Sequence, residues 1–325
     1  MTNLISDFDV ILADLDGVVY EGTAAIRDAV DSIARLQATH RLGFVTNNSS
    51  RKPETIVEQL AGFGVSAEPE DVVSSGQSGA ELLATLVPAG SKVLVVGGDG
   101  LRFYVAEAGF EVVASAEDSA AAVIQGFAPD VSWRNLAEAS FAIQNGAKWV
   151  ATNQDWTLPQ ERGMAPGNGT LVSAVHTAVG QLPLVAGKPE PAIFETAVRR
   201  FNAKRPLFIG DRIDTDIVGA NRAGIPSVLV LTGVSRAKEA LAAKPGERPT
   251  FIIETLAGLF EGYQQPKQTK RGFKLGSAEV ELLGNRVVVV SGDPKSVETL
   301  RCACAVIWNS GVAIYALDVD PELYE

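Results

Sequence analysis

Short apolar runs that end in polar or glycine-rich loops alternate with amphipathic stretches through most of the chain. This alternation constrains the fold more than any other feature. Apolar runs at residues 10–13, 42–45, 92–96, 121–125, 149–152, 206–209 and 226–231 read as buried strands. Stretches of helical period near 25–37, 53–62, 101–108, 133–144, 171–179 and 191–201 separate them. Two parallel strands need a long crossover between them, usually a helix, so the pattern predicts α/β layers with largely parallel strands. No internal repeat is present.

At 325 residues the chain exceeds the usual extent of one hydrophobic core, so two or three domains are expected. Two breaks punctuate it. Residues 74–79 (Ser-Ser-Gly-Gln-Ser-Gly) read as a hinge, with Gly180-Gln181-Leu182-Pro183 as its return. Residues 262–270 read as a polar linker without apolar periodicity. Beyond it lie strand-like runs at 278–283 and 286–290, a helix near 295–308 and a strand at 312–317, together a small α+β module.

The formal net charge of −11 disfavours nucleic acid or a membrane surface as a partner, since phosphate polymers are held by clustered Lys and Arg. A small phosphorylated ligand is still compatible, provided a few placed donors or a metal receive it. Cys302 and Cys304 are too close in sequence for an ordinary bridge, and no His near them completes a zinc site; they read as buried thiols. A reducing, cytoplasmic compartment is the expectation. The first residues lack the pattern of a signal peptide, and no apolar run is long enough to span a bilayer.

Four clusters carry chemistry, each after an apolar run. In Asp14-Leu15-Asp16-Gly17, two carboxylates at a strand end can divide labour, one attacking phosphorus while the other protonates the leaving oxygen. A solvated acidic strand end is the plainer reading. In Thr46-Asn47-Asn48-Ser49, hydroxyl, amide and backbone N–H groups can take phosphate oxygens without adding charge, although the same residues suit a turn. In Gly187-Lys188-Pro189, one ammonium can neutralise both an aspartate nucleophile and the phosphoryl group it approaches; otherwise it is a surface charge. In Gly210-Asp211-Arg212-Ile213-Asp214-Thr215-Asp216, Asp211 stands where a magnesium ligand would. Asp216 is placed to orient that loop from the first helical turn, and Asp214 to cap the helix.

In this order and at successive strand ends, the clusters resemble the four motifs of the haloacid dehalogenase superfamily of phosphatases, over roughly residues 10 to 260. The resemblance implies a Rossmann-like doubly wound parallel sheet core at 1–78 and 183–262, an inserted α/β cap domain at 79–182, and a small C-terminal α+β extension at 271–325. It implies Asp14 as a nucleophile that becomes an aspartyl-phosphate and Asp16 as general acid and base. It also implies Asp14, Asp211 and the Asp16 carbonyl as Mg²⁺ ligands with Asp216 behind them, and Thr46, Asn47, Asn48 and Lys188 as phosphate-binding groups.

Asp14-Leu15-Asp16-Gly17-Val18-Val19-Tyr20, Ala151-Thr152-Asn153-Gln154-Asp155 and Gly187-Lys188-Pro189 are similar to the large-cap branch of nitrophenyl-phosphate, glycerol-phosphate and pyridoxal-phosphate phosphatases. By that likeness, residues 126–133 form a substrate-selecting loop with Phe127, Asp130 and Trp133. Asp130 stands where pyridoxal-phosphate phosphatases carry His, which turns the expectation away from a pyridoxal substrate and towards a small polyol or an amine-bearing leaving group, glycerol 3-phosphate first. Trp133 has two readings, a cap-core anchor or a substrate contact. The tail resembles a reduced acetyltransferase-like extension, with stability, oligomer formation or cap contact as its role. The alternatives are hydrolysis of another sugar, nucleotide or cofactor phosphate, transfer of the phosphoryl group to an alcohol, or a phosphometabolite-binding regulator with vestigial hydrolysis.

Overall fold

The computed structural model describes residues 3–160 and 162–324. The chain divides into two compact units: Met1–Glu21 with Ala25–Arg41 and Lys204–Glu325, and Gly22–Ala24 with Leu42–Ala203. Both are built on parallel strands and helices, the class that the alternation predicts.

In the first unit, parallel strands lie in the order Phe251–Ile253, Ser227–Val230, Pro206–Gly210 and Val10–Ala13. Ile11, Leu12, Leu207, Phe208, Ile209, Val228 and Leu229 are fully buried. A parallel sheet covered on both faces requires continuous apolar runs, and that is what these strands show in sequence. Ala13 pairs with Ile209, so the residues that follow each strand emerge at the same end of the sheet.

In the second unit, a parallel sheet runs in the order Leu184–Val185, Lys148–Ala151, Ala122–Gln125, Lys92–Val96 and Glu111–Val113. Alternate residues of one strand serve opposite cores, as strand geometry demands. Val93 and Val95 pack with Leu83, Leu101 and Val105 on one face. Leu94 and Val96 pack with Ala139, Ile143 and Val172 on the other. The strands Arg41–Thr46 and Val72–Ser74 pair in parallel within the same unit.

Residues 74–79, read as a hinge from composition, end a strand and open a helix. Ser74 caps the helix Ser75–Ala84 by accepting the Gln77 N–H at 3.2 Å. The small residues serve close packing: a Cβ on Gly79 would stand 2.9 Å from Ile124 Cδ1. Local composition cannot separate these two uses of serine and glycine.

The tail begins as an antiparallel meander of Lys267–Gln268, Gly272–Leu275, Ala278–Leu283 and Arg286–Ser291, to which Asp318–Val319 adds in parallel. The strand expected at 312–317 is a 3-10 turn, Ile314–Ala316, and the strand follows it. Tyr315 there is 91% exposed, so the run buries no face that would hold it in a sheet. Helix Val297–Asn309 covers the meander, and Leu300, Ala303, Cys304 and Ile307 join Val280, Val287, Leu241 and Ile252 in one core. The tail thus shares its core with the edge of the first unit's parallel sheet. Cys302 and Cys304 are buried and unbridged, and burial pushes the Cys302 thiol up to about 11 and Cys304 higher still.

The polar stretch before the tail is anchored by one aromatic residue. Phe251–Ile253 is the outer strand of its sheet, and an open edge presents N–H and C=O groups that template pairing with other chains. Here the Ile252 N–H donates to the Tyr263 hydroxyl at 3.1 Å, and the Ile252 carbonyl accepts from Arg301 Nε at 2.8 Å. The Arg301 guanidinium lies 4.1 Å over the Tyr263 ring, which meets Phe251 edge-on at 5.0 Å. Arg301→Ala strips a hydrogen bond and a cation–π contact from this edge and should destabilise the protein by about 2 kcal/mol. Urea unfolding measures this; an unchanged midpoint would show that the edge needs no cover.

Candidate active site

In the first unit, strand Val10–Ala13 delivers Asp14, which is buried at 7% exposure; its N–H continues the ladder by donating to the Ile209 carbonyl at 2.9 Å. The chain then turns. The Leu15 carbonyl accepts from the Val18, Val19 and Tyr20 N–H groups, and Gly17 adopts φ +79°, which only glycine takes freely. Asp16 lies in this turn and not on the strand, so strand periodicity does not set its direction. It is exposed where Asp14 is buried. Two carboxylates in adjacent but contrasting surroundings are suited to different roles.

Strand Pro206–Gly210 delivers Asp211, 1% exposed. The chain continues into a π-helical turn, Ile213–Ile217, of the kind often found at functional sites. Asp216 Oδ2 accepts the N–H groups of Asp211 and Arg212 at 3.2 and 3.1 Å and so ties down the loop that presents Asp211. Asp214 is not the helix cap. It pairs with the Arg212 guanidinium at 3.1 and 2.9 Å, and Arg212 itself takes the cap position.

A third strand end completes this group. After Ser227–Val230, the Val234 N–H donates to Asp211 Oδ2 at 2.6 Å, and the Ser235 N–H donates to the Asp211 carbonyl at 3.0 Å. Thr232 Oγ1 donates to the Gly17 carbonyl at 2.7 Å. The Asp211 carboxylate is wedged between two glycines: a Cβ on Gly17 would lie 2.4 Å from Oδ2, and one on Gly233 1.9 Å. Sequence reading missed residues 232–235. The available signal was their place just past an apolar strand, the rule that found the other clusters.

Carboxylate oxygens of Asp14, Asp211 and Asp216 lie within 4.8 Å of one another, all three side chains buried. Like charges at such spacing repel strongly away from bulk water, and a divalent cation relieves that repulsion. Carboxylate oxygens suit a hard ion such as Mg²⁺ and not a thiophilic metal, and Asp216, whose Oδ2 is engaged by two main-chain N–H groups, stands behind Asp14 and Asp211. Asp16 is not in this group.

In the second unit, Thr46 ends strand Arg41–Thr46, and its Oγ1 accepts the Asn48 N–H at 3.1 Å. Asn48 Oδ1 accepts from the N–H groups of Ser50 and Arg51, so its side chain shapes the loop before helix Pro53–Gly62. Lys188 is 3% exposed, follows the short strand Leu184–Val185, and precedes a cis peptide to Pro189. Its Nζ donates to the Val45 carbonyl at 3.3 Å. Asn47 Oδ1 accepts the Lys188 N–H at 2.8 Å. Asn47 Nδ2 donates to the Lys188 carbonyl at 3.1 Å and to the Asp155 carboxylate at 3.1 and 3.2 Å. Thr46, Asn47 and Lys188 are therefore brought together.

Phe127 and Asp130 lie after strand Ala122–Gln125, half-buried and exposed respectively. Trp133 opens helix Trp133–Gln144 and is 81% exposed, so it is not a cap-core anchor. Ser132 and Asn135 set that helix start through their own hydrogen bonds.

Gly233→Ala places a methyl group against the Asp211 carboxylate and forces it out of register with Asp14. Such a change behind metal ligands should weaken Mg²⁺ binding by about ten- to a hundredfold. Titration calorimetry on the purified chain checks this, and unchanged affinity would remove the glycine wedge from the site.

A profile of haloacid dehalogenase-like hydrolases matches residues 11–111, and a HAD-hydrolase-like profile matches residues 185–259. The chain is 46% identical over 321 residues to a D-glycerol 3-phosphate phosphatase of Mycobacterium tuberculosis, covering 96% of this chain and 89% of that one. It is 34% identical over 250 residues to an acid sugar phosphatase of Staphylococcus haemolyticus, covering 75% of this chain and 92% of the other. The crystal structure of a glycerol phosphate phosphatase from Mycobacterium tuberculosis in complex with magnesium superposes with a TM-score of 0.90 at 40% identity, over 98% of this chain and 96% of that one. Buried carboxylates at strand ends, a glycine-wedged loop and these relatives agree, and the chain belongs to the haloacid dehalogenase-like hydrolase family.

Proposed function

We propose that this chain is a magnesium-dependent phosphomonoester hydrolase that works through an aspartyl-phosphate on Asp14, with glycerol 3-phosphate as its substrate. The observation that carries the reading is the contrast between buried Asp14, grouped with Asp211 and Asp216, and exposed Asp16 in the adjoining turn. The likeness to a mycobacterial D-glycerol 3-phosphate phosphatase supports the substrate.

The chemistry follows from the residues. Asp14 attacks phosphorus and forms an acyl phosphate while Asp16 gives its proton to the departing alkoxide oxygen. Asp16, now a carboxylate, takes a proton from water, whose oxygen attacks phosphorus, breaks the bond to Asp14 and releases inorganic phosphate. Asp14, Asp211 and the Asp16 carbonyl would hold Mg²⁺, which when bound neutralises the charge between nucleophile and phosphoryl group. Asp216 holds the Asp211 loop through two main-chain N–H groups. Thr46, the Asn47–Asn48 segment and Lys188 take the phosphoryl oxygens. Lys188 suits this because its ammonium is held in a buried setting, where charge acts over a longer reach than in water.

Phe127, Asp130 and Trp133 are the proposed substrate-selecting groups, and the exposure of Asp130 and Trp133 agrees with a role towards ligand. Among the described residues no helix is long and apolar enough to cross a membrane. With the two unbridged cysteines, this supports a cytoplasmic setting.

Asp14→Asn keeps the shape of the side chain and removes its nucleophilicity, so phosphate release with Mg²⁺ should fall about a thousandfold or more. Turnover of p-nitrophenyl phosphate near that of the unaltered protein would reject the aspartyl-phosphate route. In a panel of polyol, sugar, nucleotide and cofactor phosphates, glycerol 3-phosphate should give the highest kcat/KM.

A further inference from the structure

Asp155 is half-buried on the loop that follows strand Lys148–Ala151. Both its oxygens receive Asn47 Nδ2, at 3.1 and 3.2 Å, from a residue 108 positions earlier. The other hydrogen of that amide goes to the Lys188 carbonyl at 3.1 Å, and Asn47 Oδ1 accepts the Lys188 N–H at 2.8 Å. One planar amide therefore grips the main chain of Lys188 on both sides. The orientation is unambiguous, because only the NH₂ end can serve a carboxylate and only the oxygen can accept an N–H. The main chain of Asn47 is fixed in turn: its carbonyl accepts from Ser75 Oγ at 2.6 Å and from Asn153 Nδ2 at 2.8 Å. Asn153 Oδ1 accepts the Asp155 N–H at 3.2 Å, which closes the ring of contacts.

We propose that Asp155 is a positioning residue for Lys188, acting through the Asn47 amide. The inference rests on the reading of Lys188 as a phosphoryl-binding group. A carboxylate accepting an amide N–H makes a stronger bond than a neutral acceptor, so Asp155 sets the plane of the Asn47 side chain. That plane then sets the main-chain position from which the Lys188 ammonium projects. A displacement of about 1 Å at such a group lowers rate about a hundredfold without touching substrate.

Five variants of the full chain test this with p-nitrophenyl phosphate and Mg²⁺. Asp155→Asn leaves a weaker neutral acceptor and should lower kcat about tenfold. Asn47→Asp sets two carboxylates against each other and should lower kcat about a hundredfold. The double variant Asn47→Asp with Asp155→Asn restores a carboxylate–amide pair with the roles exchanged, without the donor to the Lys188 carbonyl, so its recovery is partial. It should recover at least about tenfold of kcat over Asn47→Asp alone.

A purely structural role would restore melting temperature and kcat together in proportion; positioning predicts a recovery in kcat larger than the recovery in melting temperature implies. A double variant no faster than Asn47→Asp overturns the proposal. If Asn47→Asp does not fold, Asp155→Ala decides: kcat below that of Asp155→Asn supports the proposal, and kcat equal to the unaltered protein overturns it. The fifth variant, Lys188→Ala, separates the two levels. Full activity in it would defeat the phosphoryl-binding reading itself, whereas loss of activity there with unaffected Asp155 variants defeats only the positioning role.

Discussion

The crowding of three buried carboxylates is the constraint on which the first unit is organised. Two like charges about 4 Å apart repel by about 4 kcal/mol at an effective dielectric near 20, so Asp14, Asp211 and Asp216 gather only because the backbone compels it. Strands Val10–Ala13 and Pro206–Gly210 are parallel neighbours, and their ends bring residues 14 and 211 out side by side. Main-chain N–H groups from residues 211, 212 and 234 then direct the Asp216 and Asp211 oxygens. Glycines at 17 and 233 leave space for a carboxylate and nothing larger. The same features that pack the loops therefore preserve a concentration of negative charge suited to a hard divalent cation.

The second unit solves a complementary problem, the fixing of a buried ammonium. Lys188 lies in a loop, where a long flexible side chain would ordinarily lose much entropy on being held. Here the ends of separate strands share that task. Val45 receives Nζ, Asn47 receives and donates on either side of the Lys188 main chain, and Asp155 steadies Asn47. The main chain of Lys188 and its ammonium are thus each held by their own partners.

How much of this was legible in the sequence depends on the range over which each feature is encoded. The parallel strands were legible because burial on both faces leaves an unbroken apolar run, and the strand-end rule then pointed to Asp14, Thr46, Lys188 and Asp211. The glycine wedge at Gly233 followed the same rule, but lacks an ionisable side chain to draw the eye. The Asn47–Asp155 bond joins residues 108 apart, and no local period records such a pairing. Composition alone left open residues 74–79, where small residues open a helix and pack closely, and Trp133, whose bulk suits a core it does not enter.

The tail illustrates why a polar stretch should be read with its aromatic residues. Residues 262–270 carry no periodicity, yet Tyr263 ties the stretch to the outermost strand of the sheet by covering an edge N–H. Arg301, one turn into the tail helix, covers the matching carbonyl and stacks on Tyr263. That outer strand pairs with Ser227–Val230, whose far end supplies the loop that seats Asp211. The tail helix, the sheet edge and the carboxylate cluster are thus linked through two strands. The path is one of packing: the tail helix borders the outer strand, its neighbour Ser227–Val230 leads into the loop, and that loop is the wall against which Asp211 rests.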